Sequence, residues 1–265
     1  MLNLFLNITL NSQTLSTLSE LVSKTTLTYA EQLLTCMLPE ITLTVMISYV
    51  LTILAIELGK GRSKRELAFD SIYALQDGLA YVAILYTVQL IIGDAEAIFN
   101  GYLLTSSYVI VLKLLTVISG RFILDSSELY MREHSRHLLE YPLVLVLAIL
   151  FMLLLVGAGH LISAFLALVG FSLNLYVLIL FDAPTAVARE AGIKYFYLST
   201  FSSGLILYGI FLIFFVLGTG HFREIGQLLA TAPELLENGQ HLIQYAILFL
   251  LVGLFFKLSA FPGHL

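Results

Sequence analysis

Apolar residues along this chain come in long runs divided by short polar breaks, the pattern of helices crossing hydrocarbon rather than of an amphipathic soluble fold. Runs long enough to cross about 30 Å as helices fall near Ile41–Leu58, Phe69–Ile92, Ile98–Gly120, Tyr141–Gly159, Leu161–Phe181, Ile193–Leu217 and Leu242–Phe261. The second is the weakest, because Asp70, Gln76 and Asp77 interrupt it. The pattern predicts an all-α, polytopic transmembrane helix bundle of about seven spans. The opening apolar stretch is too short to span and is broken after Leu10 by Asn11-Ser12-Gln13-Thr14. Residues 1–35 therefore read as an interfacial N-terminal segment, and 36–265 as one transmembrane helical domain. With Lys24 the lone early cation and no arginine before Arg62, the opening does not read as a cleaved targeting peptide.

Composition agrees with the pattern. The 265 residues are 59% hydrophobic and 12% charged with mean hydropathy +0.94, where a soluble domain is about half apolar and a quarter charged. Cations then orient the spans. Lys60, Arg62, Lys64 and Arg65 follow the first span, Arg121, Arg132 and Arg136 the third, and Arg189 and Lys194 follow or edge the fifth, all on one side. The opposite loops hold Asp94 and Glu96, then Arg223, Glu224, Glu234 and Glu237, which places the N-terminus on the acidic face. The net charge of -5 is small and spread over loops, so no nucleic acid or other polyanionic partner is expected. The single Cys36 excludes an internal disulfide and a cysteine-ligated cluster or zinc site held by this chain alone. Electrons moving nearby would be carried by other subunits.

The most informative polar residue is Lys257, within the run Gly253-Leu254-Phe255-Phe256-Lys257-Leu258-Ser259-Ala260-Phe261. An ammonium at bilayer depth costs roughly 3 kcal/mol on insertion scales, so it is retained facing protein or water, commonly on an ion or proton path. Pro262 removes a backbone donor five residues on and is expected to break the last helix beside the charge. His134 and His137 near Glu133 and Glu140 come nearest to a metal-ligand cluster, but a solvated loop is the better reading and no metal is expected. Lys113 lies deep in the third span and is expected to face a neighbouring helix or polar lumen rather than lipid. Asp77 is an unexplained membrane acid that could pair with Lys113 or with a partner chain. Glu40 after Pro39 suits a helix start, where an anion meets the favourable end of the dipole. His160, at a Gly-rich turn, reads as a hydrogen-bonded turn residue, and Lys194, near a span end, as a snorkelling or ion-paired cation about as readily as a relay.

Several strings resemble one family in order and spacing. Leu38-Pro39-Glu40-Ile41-Thr42-Leu43, Gly157-Ala158-Gly159-His160-Leu161 leading into Phe165-Leu166-Ala167-Leu168, and Ser172-Leu173-Asn174-Leu175-Tyr176 are the weaker set. Ala191-Gly192-Ile193-Lys194-Tyr195-Phe196, Phe201-Ser202-Ser203-Gly204, and Gly253 to Leu265 are the stronger. Together they resemble NADH-ubiquinone oxidoreductase chain 2, an antiporter-like membrane subunit of respiratory complex I. The resemblance implies a membrane-arm subunit that translocates protons, coupled to quinone reduction elsewhere. FMN, iron–sulfur clusters and ubiquinone would belong to other subunits, with no cofactor in this chain. It implies that Lys257 is the family's seventh-helix lysine, Lys194 its sixth-helix lysine and His264 the histidine after the helix-breaking proline. These three are the proton-path candidates, with Lys113 and Asp77 as minor ones.

Two departures stand out. Where the family carries a fifth-helix glutamate that partners the seventh-helix lysine, this chain has Val169 beside Gly170. A nearby carboxylate holds a buried ammonium charged, and moving or protonating it releases the proton. With Val169 there, either another acid substitutes, one from a partner chain included, or this half channel conducts poorly. The family also continues through further spans, whereas this sequence stops at Leu265, so it reads as the N-terminal half of a split subunit. A separate polypeptide is then expected to complete the fold, alongside other complex I membrane-arm subunits and lipids as partners. The expected site is the mitochondrial inner membrane as a multi-pass protein, or alternatively a bacterial plasma membrane. Competing readings are a subunit of a multi-chain sodium/proton antiporter, or a structural scaffold that has lost conduction.

Overall fold

The structure, a computed structural model, describes residues 37–51, 64–92, 96–98, 101–134, 141–180, 186–231 and 233–258. Segment 1–35, the expected break at Pro262, and His264 lie outside the described residues, as do His137 and Glu140. The chain divides into two units, Met1–Leu38 and Pro39–Leu265, and the second is described below.

Long apolar runs in hydrocarbon must satisfy their backbone groups internally, which leaves helix as the available form. The helices are α1 (Met37–Leu51), α2 (Lys64–Ile92), α3 (Ser107–His134), α4 (Tyr141–Val156), α5 (Leu161–Leu180), α6 (Ala186–Leu217), α7 (Phe222–Thr231) and α8 (Pro233–Lys257). Segments of α2, α3, α5 and α6 are long and apolar enough to cross a membrane, while α1, α4 and the His241–Lys257 part of α8 are shorter apolar helices. The order matches the seven expected spans.

Three boundaries correct the sequence reading. Ile98, Leu103 and Leu104 are not helical: β1 (Glu96–Ile98) and β2 (Leu103–Thr105) pair antiparallel, with Gly101 at φ 88° before β2. Beyond Gly120, α3 runs on to His134, so Arg121 and Arg132 ride on a helix rather than in a loop. Between His221 and His241 the chain forms α7 and the start of α8. The ten-residue α7 alternates Phe222, Ile225 and Leu229 with polar positions, and Ile225 packs on the α6/α8 core.

The main core joins α1 to α4. On α3 the buried positions Ile110, Lys113, Val117, Gly120, Leu124 and Ser127 alternate in steps of three and four, one face of a helix. They meet Leu43 and Val50 of α1, Leu79, Val82 and Tyr86 of α2, and Val146, Ile149 and Leu153 of α4. A second core joins α6 to α8 through Leu212, Ile213 and Ala246. Small residues bring these two helices close. A Cβ on Gly209 would lie 2.8 Å from the Ala246 carbonyl oxygen, and one on Gly253 3.0 Å from the Ser202 carbonyl oxygen. The Ser202 hydroxyl donates to the Gly253 carbonyl at 2.7 Å.

One end of the bundle is closed by three interlocked connections. The Leu104 N–H donates to the Gly157 carbonyl at 2.7 Å and the Gly159 N–H to the Tyr102 carbonyl at 2.9 Å. The Leu161 N–H donates to the Gly220 carbonyl at 2.9 Å and the Phe222 N–H to the Gly159 carbonyl at 3.2 Å. The α2–α3, α4–α5 and α6–α7 connections thus share one face, the grouping required by the charge pattern. Gly218, at φ 70°, caps α6 by donating its N–H to the Phe214 carbonyl at 2.9 Å.

Candidate functional site

Two amines of this chain sit among helices. On α8, Ile243, Ala246, Gly253 and Lys257 follow steps of three, seven and four, so the half-buried Lys257 continues the packed stripe. Its Nζ reaches α5, donating to the Leu168 carbonyl at 3.3 Å and to the Ser172 hydroxyl at 3.2 Å. Ser172 in turn donates to the carbonyls of Leu168 at 2.7 Å and Val169 at 3.0 Å. The ammonium therefore rests on the α5 turn that contains Val169. Its described acceptors are neutral. Val169, Ser172, Tyr176, Phe196, Ser199 and Ser203 are among the residues lining a cavity of about 250 Å³ on this side of α5.

Lys113 is buried, with 3% of its surface exposed. Its partner is Glu40 of α1: Lys113 Nζ donates to Glu40 Oε1 at 2.5 Å, and the Tyr86 hydroxyl of α2 donates to the same oxygen at 2.9 Å. The Lys113 Nζ also lies 5.7 Å from the Tyr86 ring centroid. This corrects the pairing considered for Asp77, which is exposed on α2, and it gives Glu40 a far larger part than starting a helix. Glu40 Oε2 is buried and has no hydrogen-bond partner among the described residues. An acceptor left so costs about 1–3 kcal/mol. Replacing a buried ion pair by well-packed apolar residues is often neutral or favourable, so packing stability does not by itself account for this one.

At the closed end, Tyr102 stacks on His160 with ring centroids 4.3 Å apart, and His221 meets the His160 ring edge-on at 4.7 Å. The Ile162 N–H donates to His160 Nδ1 at 3.1 Å, which leaves Nε2 to carry the proton of the neutral ring. Burial pushes the His160 imidazole below its ordinary range, charge on His221 adds to this, and Glu224 opposes it. His160 is thus the buried turn residue expected from the sequence. The Thr219 hydroxyl donates to Glu224, tying the following turn to α7.

Lys194 points elsewhere. It forms an exposed pair with Glu190 one turn earlier on α6, at 2.8 Å. The structure therefore does not bring Lys194, Lys113 and Lys257 into one cluster of direct contacts. No group of three or more His, Cys, Asp or Glu side chains arranged to hold a metal occurs among the described residues. Sequence reasoning does not single out Tyr86, and the signal for it is positional: it continues the buried stripe of Leu75, Leu79 and Val82.

Residues 158–265 match the family described as NADH:quinone oxidoreductase/Mrp antiporter, TM. With the observed helix order, this gives the chain a polytopic, antiporter-like membrane helix fold. It is 33% identical over 231 residues to NADH-quinone oxidoreductase subunit N of Rhodobacter capsulatus, covering 86% of this chain and 45% of that one. To subunit N of Pelagibacter ubique it is 34% identical over 169 residues, 64% of this chain and 34% of the relative. The chain thus spans less than half the length of these curated relatives. A chain of respiratory complex I from Thermus thermophilus, solved with bound aureothin, superposes with TM-score 0.63 at 25% identity, covering 85% of this chain and 45% of the other. A chain of an archaeal membrane-bound sulfane sulfur reductase shares the fold, with TM-score 0.64 at 16% identity over 87% of this chain and 45% of its own.

Proposed function

We propose that this chain is a membrane-arm subunit of proton-pumping NADH:ubiquinone oxidoreductase, contributing to proton translocation coupled to quinone reduction. Similarity to subunit N over most of the chain supports the assignment. The observation that carries a transport role is the placement of Lys257: an amine within an apolar helix, turned onto α5 at Val169 rather than outward. That is where a proton-exchanging amine would need to be, on the inner surface between helices. Lys257 is the principal proton carrier in this reading, Lys194 and His264 are further path candidates, and Lys113 acts with Glu40. FMN, iron–sulfur clusters and quinone belong to other subunits.

The chain's membrane is the mitochondrial inner membrane. The role is tested by Lys257→Ala in the assembled complex: NADH-driven proton translocation per electron should fall while assembly persists. Unchanged stoichiometry would favour the scaffold reading to which Val169 lends weight. Purification without quinone-reductase redox subunits would favour a stand-alone antiporter.

A further inference from the structure

We propose that Glu40, Lys113 and Tyr86 form a second proton-exchange centre, separate from Lys257, with Glu40 Oε2 as the atom that takes up the proton; this rests on the proton-translocating reading above. The three groups come from α1, α3 and α2, and all are buried. Oε1 receives both hydrogen bonds, so the two carboxylate oxygens are sharply unequal. One is held by an ammonium and a phenol. The other is buried without a partner among the described residues. A proton arriving at Oε2 converts the carboxylate to a neutral acid and leaves the Lys113 ammonium unbalanced. That ammonium then releases its own proton to a water molecule, and the pair ends as neutral acid and neutral amine. Returning the Oε2 proton to the amine by way of Oε1 restores the ion pair. One proton enters and one leaves, with no net charge left in the bundle.

The pair also has a short route to the closed face. Lys113 Nζ lies against Gly157, where an added Cβ would be 3.1 Å from the nitrogen. Gly157 belongs to the interlocked turn whose carbonyl accepts from Leu104. The Leu104 carbonyl lies close by, 3.6 Å from the same added Cβ.

The test uses the assembled complex with Glu40→Gln, Lys113→Met, the double variant and Lys257→Ala. Each single change strands a buried charge or donor and is expected to impair assembly. The double variant removes both charges and should recover assembly. Proton translocation per electron in that double variant is the deciding readout: loss is expected, and an unchanged ratio overturns the proposal, leaving the pair as a structural link. Normal pumping in Lys257→Ala with loss in the double variant would refute the role given to Lys257 and leave this centre standing. Should the double variant not assemble, infrared difference spectra of turnover in wild type and Glu40→Asp decide. A carboxyl C=O band that shifts in D2O and moves on Glu40→Asp is expected. No such band overturns the proposal.

Discussion

Placing a carboxylate at position 169 tests the geometry around Lys257 directly. Val169 lies on the α5 turn whose Leu168 carbonyl and Ser172 hydroxyl hold the ammonium, and it lines a cavity of about 250 Å³ that can take a longer side chain. For a carboxylate carried there and about 5 Å from the ammonium, attraction at an effective dielectric near 20 is about 3 kcal/mol. Unpaired, the same buried carboxylate would be strongly destabilising. Val169→Glu should therefore be tolerated when Lys257 is present and harmful when it is not. Thermal dissociation of four complexes in one detergent measures this: wild type, Val169→Glu, Lys257→Met and the double variant. Independent sites add to within about 0.5 kcal/mol, so a coupling of about 3 kcal/mol would be unmistakable. If Val169→Glu costs the same with and without Lys257→Met, the ammonium does not face position 169 and the site geometry is wrong.

The same packing sets other expectations. Gly253→Ala puts a Cβ 3.0 Å from the Ser202 carbonyl and 3.1 Å from the Ile206 nitrogen, an overpacking expected to cost about 1–3 kcal/mol in thermal stability of the complex. Gly204→Ala on α6, the helix it packs against, meets nothing within 4 Å and should be neutral or gain up to about 1 kcal/mol from helix propensity. His160 favours its neutral form in the fold, so the stability it contributes is present at neutral and alkaline pH and falls as pH drops through about 6.5, its ordinary value. Faster hydrogen exchange at the Leu161 and Ile162 amides on acidification, beyond the intrinsic pH dependence of exchange, would show it, and its absence would refute it. Lys194→Gln removes an exposed helical pair and should change melting little, and its pumping ratio compared with Lys257→Ala ranks the two amines.

Much of the bundle is readable in advance because hydrocarbon leaves the backbone one option, so run length alone locates helices. Ends are less readable. Ile98 reads as the start of the third span, yet it pairs with Leu103 as strand, and Gly101 sits at positive φ just before that partner. Arg121 reads as a loop cation because it ends an apolar run, yet α3 continues through it without a break. Of the site, Lys257 is visible because charge is rare in such a run. The Glu40–Lys113 pair is only half visible: steps of three and four from Ile110 to Leu124 put Lys113 on the packed face, but nothing in a linear string says which acid of α1 or α2 meets it. Seventy-three residues separate the partners.

The four links that lock the three connections at the closed end run from main chain to main chain. No side chain is needed to make those four, and the Tyr102, His160 and His221 rings pack beside them. What is restricted is bulk. At Gly159 a Cβ would lie 2.8 Å from Leu104 Cγ, and at Gly220 2.7 Å from the His160 ring. Tolerance to mutation at these two glycines should therefore sort by side-chain volume.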